Sequence, residues 1–315
     1  MDYKNHIKSA SDLVTLRTDT SAGFIKMSLE RSLRATQYVE QGRALRAATA
    51  IIPDVPTLLA DPSMHEAILT AAGVSEKAKQ YFLEADRQLA MSEFAEKYLQ
   101  TAGSQFSDEL VLRFMLTRGE TLGGTMKNVV GYLAEVRLLR AVVAALTLRG
   151  QPFKYLSRDS NKWLSPQPSV PDIERNARGI TWESGSNPRT LLLNVGVPQV
   201  RKNVDLCLFE CAPDELSGKN KAATIGNITK YIALGELKGG IDPAGADEHW
   251  KTARSALNRI RLVFSDPAIF FVGAAIETAM SVEIWDDLES GILKNAANLN
   301  HDDQVASFVS WMINL

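Results

Sequence analysis

The pattern of apolar residues changes near Gly150, and this change limits the folds open to the chain. Through the first hundred residues glycine is sparse, and Ala, Leu, Glu, Arg and Gln, which favour helices, are plentiful. After Gly150, short apolar runs with strand character follow at residues 179–183, 190–197, 204–209 and 231–238. We therefore expect a helical N-terminal region and an α/β C-terminal region.

Helix signals refine this division. Helices are predicted over residues 21–50, 75–99 with Ser75 as N-cap, 107–116 and 129–148, and a glycine-rich loop over residues 118–128. Beyond the strands we predict a helix over 247–264 that His249 helps to open, a strand over 268–275 and a helical last forty residues. Two domains are expected, residues 1–110 and residues 111–315.

Composition excludes several classes of protein. With 45% hydrophobic and 23% charged residues, the 315-residue chain can bury a large core and is not a disordered protein. Two cysteines exclude a disulfide scaffold and a four-cysteine zinc site. A net charge of −2 excludes a polycation, although a local basic stripe would suffice to bind nucleic acid.

Targeting and nucleotide-binding signals are also absent from the sequence. No apolar run approaches the length of a membrane helix and no secretory signal precedes residue 19, so we expect a cytoplasmic protein without a membrane partner. The loop at residues 119–125 resembles a phosphate-binding loop only loosely, because Thr125 stands where the lysine would be. We therefore expect no nucleotide cofactor.

Three charged residues lie within the strand runs at 204–209 and 231–238. Asp205 interrupts the run at 204–209, where Val204 and two leucines alternate with it, so its side chain should point away from the Val204 face. Glu236 and Lys238 are two residues apart and should emerge on one face of their strand, just before Gly239 and Gly240. An acid within an apolar strand is unfavourable unless it is paired or binds a cation.

These residues suggest metal-dependent chemistry. If the two strands are neighbours, Asp205 and Glu236 can reach one cation, and a few hard oxygen ligands with room for water and phosphate suit Mg²⁺. Such an ion would acidify water and neutralise charge on a phosphate, while Lys238 would contact a phosphate oxygen or orient the attacking water. The arrangement favours phosphodiester hydrolysis, although Asp…Glu-x-Lys alone is a weak pattern and often marks a surface salt bridge.

The segment after Gly240 strengthens the nuclease interpretation. Residues 250–263 carry four basic side chains and no acid, as a polyanionic substrate would require, although a solvated helix face is the simpler explanation for Arg254. His249 could act as a general base, since the usual pKa of histidine suits proton abstraction near neutrality. Lys127 lies in a second basic stretch, residues 113–149, and is a further candidate for DNA binding.

The pattern resembles a known family. Asp205…Glu236-Leu-Lys238 looks like the signature of PD-(D/E)xK nucleases, and the string GELKGGIDPAGADEHW at residues 235–250 resembles the AvaI/BsoBI family of type II restriction endonucleases. This resemblance implies an α/β catalytic domain with a mixed central sheet and a mainly helical N-terminal domain. It also implies Mg²⁺-dependent cleavage of double-stranded DNA at the degenerate palindrome CYCGRG, leaving 5′ overhangs, by a homodimer that encircles the duplex.

The same resemblance implies roles for individual residues. Asp205, Glu236 and Lys238 fall on the catalytic positions, with the two acids as metal ligands, and His249 falls on a general base. Asp242 falls on an acid that reads a base edge, and an aspartate accepting from cytosine N4 is chemically reasonable there. Further DNA contacts are expected from basic residues of the sequence, namely Lys77, Lys79, Lys127, Lys251 and Arg254. Gln80 stands where the family would have an arginine.

Two questions stay open at this level. Glu135, inside the apolar helix over 129–148, could be an accessory acid near the metal or the partner of Arg137 or Arg140. The whole protein could instead be a structure-specific or repair nuclease that uses Mg²⁺, or a DNA-binding module that keeps the nuclease core as a scaffold. Intact Glu236 and Lys238 argue against the scaffold, since a non-catalytic site has no need of an acid–base pair in an apolar strand.

Overall fold

The computed structural model describes residues 3–167 and 172–315. Its α-helices are α1 (Arg17–Thr49), α2 (Val55–Ala60), α3 (His65–Ala71), α4 (Glu76–Lys79), α5 (Glu84–Phe94), α6 (Phe106–Leu148), α7 (Ile173–Asn176), α8 (Lys221–Gly226), α9 (Pro243–Val263), α10 (Thr278–Glu289) and α11 (Asp302–Ile313). Its strands are β1 (Phe153–Ser157), β2 (Trp163–Leu164), β3 (Ala177–Ser184), β4 (Asn187–Val197), β5 (Lys202–Phe209), β6 (Tyr231–Lys238), β7 (Ala268–Gly273) and β8 (Asn295–Asn298).

The chain divides into two compact units. One is Ile25–Asn128, and the other consists of the described parts of Met1–Phe24 and Val129–Leu315. The first unit is helical and has its own core, which includes Leu58, Phe94 and Leu110. This grouping differs from the predicted border at residues 110 and 111, because α6 runs unbroken from Phe106 to Leu148 and contributes to both units.

The second unit is built on one mixed sheet of eight strands. The spatial order follows the chain order from β3 to β8, with β2 and β1 outside β3. Strands from β2 to β6 pair antiparallel, and β6, β7 and β8 pair parallel. The expected α/β domain with a mixed central sheet and a helical N-terminal region is thus confirmed.

Helices cover both faces of this sheet. On one face α9 and α10 bury Trp250, Leu257 and Ile284 in a core that also receives Phe209 from β5. On the other face α11 and the C-terminal half of α6 enclose a second core, with Leu138 and Phe308 among its members. Burial on both faces explains why the strands read as nearly continuous apolar runs. No helix among the described residues has the length and apolar character of a membrane span.

Several sequence predictions of local structure were wrong. The glycine-rich loop at 118–128 is part of α6, whose glycines in this stretch keep helical backbone. The helix predicted over 75–99 is interrupted after α4, although Ser75 caps it as expected by accepting from the Ala78 N–H. Strand β2 lies where no strand was predicted, and residues 168–171 lie outside the described residues. The helical C-terminal stretch also contains β8.

Candidate active site

Strands β5 and β6 bring the three predicted charged residues together. Leu206 pairs with Gly235, so Asp205 and Glu236 are the next residues along two antiparallel strands. Here the carboxylate of Asp205 replaces a ladder partner, since the Leu237 N–H donates to Asp205 Oδ2 at 3.0 Å. Lys238 Nζ lies 2.9 Å from the same Oδ2 and 2.6 Å from Glu236 Oε2. Two acids and one ammonium group therefore converge at the end of β6, as the sequence predicted.

The apolar alternation around Asp205 is less regular than predicted. Leu206 and Leu208 lie in the core on the α6 face, whereas Val204 lies in the core on the α9 face together with Cys207. Val204 and Leu206 therefore do not share a face of β5, and the expectation that Asp205 points away from a common Val204 face is wrong. The side chain of Asp205 lies on the same face of β5 as Cys207, where it meets Glu236 and Lys238.

The environment of the cluster favours a neutral Glu236 when no cation is present. Glu236 is 3% exposed. Burial, followed by the charge of Asp205, raises the pKa of Glu236 to about 7. Burial alone would lower the pKa of Lys238, but the two carboxylates outweigh it and raise that pKa. An acid with a strongly raised pKa beside a charged partner is typical of functional sites.

Two carboxylate oxygens of this cluster are available to a cation. Glu236 Oε1 is buried and has no hydrogen-bond partner among the described residues. Asp205 accepts from both the Leu237 N–H and the Lys238 ammonium through Oδ2. A side-chain hydrogen bond with Asp205 adds to the rise in the pKa of Glu236, so a cation would have to displace the proton that the two acids share. No group of three or more His, Cys, Asp or Glu side chains in the described ranges could hold a metal ion. Two carboxylate oxygens completed by water and phosphate suit Mg²⁺, which keeps several waters in most protein sites.

The loop after β6 packs tightly against its surroundings. A Cβ on Gly239 would lie 2.7 Å from the Val130 carbonyl oxygen and from Ala134 Cβ of α6, so only glycine fits there. A Cβ on Gly240 would lie 3.1 Å from His249 Nε2, which places the imidazole over this loop. The predicted start of α9 at residue 247 was wrong, because Pro243 begins the helix and His249 lies in its second turn.

Comparison with known proteins identifies the family. The sequence profile described as "Restriction endonuclease BsobI" matches residues 3–315. The chain belongs to this family. It is 49% identical over 319 residues to "Type II restriction enzyme AvaI" of Nostoc sp. and of Anabaena variabilis, with 100% of each chain covered. It is 45% identical over 320 residues to "Type II restriction enzyme BsoBI" of Geobacillus stearothermophilus, covering 99% of this chain and 98% of that one.

Membership in the BsobI restriction endonuclease family makes this chain a type II restriction endonuclease. The identities are those of a relative of AvaI, not of the same enzyme. The structure of this family member brings Asp205, Glu236 and Lys238 together.

The predicted accessory acid lies on α6 and is held by two donors. Glu135 accepts from Arg158 Nη2 through Oε2, and from Asn194 Nδ2 at 2.6 Å through Oε1. Neither predicted arginine is its partner, since Arg137 pairs with Asp302 and Arg140 pairs with Glu174. Neither Arg158 nor Asn194 was singled out from the sequence. An asparagine inside an apolar strand run was the available signal, because asparagine is depleted in strands.

The predicted DNA-binding lysines differ in whether acidic side chains already pair with them. Lys77 and Lys127 are exposed and form no ion pair within the described chain. Lys79 is buried, and its Nζ lies 2.7 Å from Glu66 Oε2 and 3.1 Å from Glu76 Oε1. A DNA contact by Lys79 would require it to leave both glutamates.

The remaining candidates lie on α9 or cap it. Asp242 is exposed and is the N-cap, with its Oδ1 accepting from the Ala244 N–H. Lys251 pairs with Asp247 at 2.5 Å on the helix surface. Arg254 pairs with Glu283 and Asp287 of α10. Arg254 is therefore held in ion pairs, which neither the predicted DNA contact nor the solvated helix face anticipated.

Proposed function

We propose that the cluster of Asp205, Glu236 and Lys238 is the Mg²⁺-dependent catalytic site with which this endonuclease hydrolyses DNA phosphodiesters. One observation carries the proposal: a buried carboxylate oxygen, Glu236 Oε1, has no partner in the described chain and lies in the cluster that holds Asp205. A buried, unpaired carboxylate oxygen is unfavourable unless a cation satisfies it. The two acids are the proposed metal ligands.

The protein groups have separable tasks in this mechanism. The bound ion would supply charge neutralisation and a more acidic water. The Leu237 N–H orients Asp205 through Oδ2, and Lys238 balances the charge of the two acids. When DNA binds, Lys238 contacts a phosphate oxygen or orients the attacking water. Lys238 and His249, which lies over Gly240, are the two candidates for taking the proton of that water.

The symmetry of the proposed target predicts the oligomeric state of the enzyme. We propose the substrate site CYCGRG with 5′ overhangs, and a palindromic site requires a two-fold symmetric enzyme, hence a homodimer. Residues 1–110 would embrace the duplex, and Asp242 would read a base edge. Basic contacts would come from Lys77, Lys127 and Lys251, and from Lys79 and Arg254 if these two can leave their acidic partners. Glu135 would serve as an accessory acid only if it leaves Arg158 and Asn194, which hold both of its oxygens. The enzyme would act in the bacterial cytoplasm, where its DNA substrate is.

Digestion of matched plasmids tests these proposals. One plasmid carries a single CYCGRG site, and its control differs only by a transversion that destroys the site. We expect linear product from the first plasmid alone, only with Mg²⁺ and not with EDTA, and 5′ overhangs when the ends are sequenced. Light scattering in free solution should give the mass of a dimer of the 34.6 kDa chain.

Other outcomes would support the alternatives. Cleavage of both plasmids, or degradation from ends and junctions, would indicate a structure-specific or repair nuclease. Specific binding without cleavage at any Mg²⁺ concentration would indicate a DNA-binding module. Discrete cleavage at a different sequence would leave the catalytic site standing and overturn the proposed target.

A further inference from the structure

Asn194 lies opposite the proposed metal ligand Asp205. Leu193 pairs with Leu206 and Val195 with Val204, so Asn194 and Asp205 face each other between these two pairs. In a regular antiparallel ladder, opposite residues place their side chains on the same face of the sheet, within contact distance. A regular residue at position 194 would therefore extend its side chain beside the Asp205 carboxylate.

The backbone of Asn194 is not regular. Its φ of 53° lies in the left-handed region, which is uncommon for residues other than glycine and is best tolerated by Asn and Asp. The alternation of β4 inverts at this residue. Before it, Leu191 and Leu193 lie in the core on the α6 face, and after it Val195 lies in the core on the α9 face.

The side chain of Asn194 is held away from Asp205. Its Nδ2 donates to Glu135 Oε1 of α6, on the side opposite to the face where Asp205 meets Lys238. Glu135 is fixed in turn by Arg158, which donates to its other oxygen. A carboxylate held by two donors provides a rigid anchor for the asparagine amide.

We infer that Asn194 is a positioning residue for the metal site: its left-handed backbone and its hydrogen bond to Glu135 keep its side chain off the Asp205 face. Asp205 Oδ1, which neither the Leu237 N–H nor Lys238 uses, thereby stays open to a cation. The inference rests on the proposed role of Asp205 as a metal ligand, and it assigns Asn194 no contact with DNA or with the ion.

Two substitutions separate backbone shape from side-chain chemistry. Asn194→Gly keeps the left-handed conformation and removes the amide, whereas Asn194→Val favours extended backbone and directs a branched side chain towards Asp205. Arg201 offers a matched control, because it is exposed, has a φ of 56° and lies in the turn between β4 and β5. Arg201→Gly and Arg201→Val impose the same backbone changes at a position away from the Asp205 pair.

The readout is the metal requirement, measured in two ways. One is the Ca²⁺ concentration that gives half-maximal binding of specific DNA, and the other is the Mg²⁺ concentration for half-maximal cleavage. We expect Asn194→Val to raise both by about tenfold or more, as other losses of support around a metal ligand do. Asn194→Gly should stay close to the parent enzyme, and both Arg201 variants should leave the metal requirement unchanged. Thermal unfolding reports the general effect of each backbone change.

The possible results separate a failure of this inference from a failure of the proposed catalytic site. Equal metal requirements for Asn194→Val and Arg201→Val would overturn the inference, as would a rise in Asn194→Gly as large as that in Asn194→Val. If Asn194→Val does not fold, Asn194→Ala replaces it, and an unchanged metal requirement there counts against the inference. Normal cleavage by Asp205→Asn would remove the proposed site itself, whereas an inactive Asp205→Asn beside a normal Asn194→Val would remove only the role of Asn194.

Discussion

Two clusters in the α/β unit have the same composition, two acids and one base, but differ in how completely they are bonded. The strand cluster consists of Asp205, Glu236 and Lys238, and the helix cluster consists of Glu283, Asp287 and Arg254. In the helix cluster the guanidinium reaches both acids, with Nη2 3.3 Å from Asp287 Oδ1. The Trp250 indole N–H adds a donor to Glu283 Oε2 at 2.8 Å.

The difference lies in the number of donors. Arginine presents a planar fork of five N–H groups, whereas lysine is a compact point charge. In the strand cluster one ammonium group serves two carboxylates, and Glu236 Oε1 stays unbonded within the described chain. Charged composition therefore does not distinguish a site from a structural ion pair. A buried carboxylate oxygen without a hydrogen-bond partner does distinguish the two, because no protein group compensates for the hydration that it loses on burial.

The largest expected effect comes from matched amide substitutions in the two clusters. Glu236→Gln replaces a proposed metal ligand with a neutral group of the same shape, and we expect cleavage to fall by about 10³-fold or more. Glu283→Gln makes the same chemical change in the helix cluster and should leave cleavage close to normal. Initial rates on plasmid DNA, together with DNA binding in Ca²⁺, measure both.

Specific DNA should still bind to Glu236→Gln. If this variant cuts at a normal rate, the assignment of the strand cluster as the catalytic site is wrong. Equal losses in both variants would instead show that the contrast between the clusters has no functional meaning.

The next effect is a dependence on pH that follows from the raised pKa of Glu236 in the strand cluster. The pKa of Glu236 is raised to about 7 from a usual value of 4.5. The metal-free fold therefore holds this proton more tightly than the unfolded chain does. Its contribution to stability is present below the unfolded pKa and is lost as the pH rises through about 7. Cation binding requires the carboxylate, so the Mg²⁺ requirement should increase about tenfold for each pH unit below 7.

Comparison with Glu236→Gln isolates this one group from all the others that titrate. Between about pH 5 and pH 8, without metal, the stability of the parent should fall relative to the variant by about 2 kcal/mol. Denaturant unfolding at a series of pH values measures the difference. Parallel stability curves for the two proteins would mean that Glu236 titrates at its usual pKa.

The contrast between the clusters also shows what the sequence could predict. Apolar alternation located β3 to β6, and the spacing of Glu236 and Lys238 placed both on one face beside Asp205. Most of the strand cluster was therefore predictable. The partners of Arg254 were not, because Glu283 and Asp287 lie about thirty residues away on another helix and no local pattern links them.

Other differences have identifiable physical causes. The glycines at 119, 123 and 124 indicate a loop by propensity alone, but α6 continues through them, since helical propensity is a weak prior beside tertiary packing. Strand β8 reads Asn-Ala-Ala-Asn and lacks the β-branched residues that identify strands, although all four residues are buried. The left-handed backbone at Asn194 and the contact of its side chain with Glu135 of α6 are features that only the tertiary structure shows.

A smaller effect should come from removing the base of the helix cluster. Arg254→Ala leaves Asp287, which is largely buried, without its main partner, while the Arg254 side chain is 41% exposed. Burial raises the pKa of Asp287, and the charge of Arg254 acts against that shift. Allowing for solvent screening, we expect a loss of about 1–2 kcal/mol in stability with an unchanged cleavage rate. Weaker DNA binding at unchanged stability would instead support the predicted DNA contact of Arg254.

The smallest expected effect concerns Lys251, one helical turn before Arg254 on the same helix. Lys251 pairs with Asp247 at 2.5 Å, and both side chains are exposed. Exposed pairs add little to stability, so Lys251→Ala should unfold at the same temperature as the parent. If Lys251 contacts a phosphate, DNA affinity should fall equally for specific and unrelated sequences, and the slope of log affinity against log salt should decrease by about one.

Asp247→Asn is the complementary variant, because it removes the carboxylate that pairs with Lys251. It should change DNA affinity in the direction opposite to Lys251→Ala. DNA affinity should then rise at low salt. Unchanged affinity in both variants would mean that this part of α9 faces solvent in the DNA complex. The charged surface of α9 would then resemble the helix cluster in having only a structural role, and recognition would depend on the loop that carries Asp242.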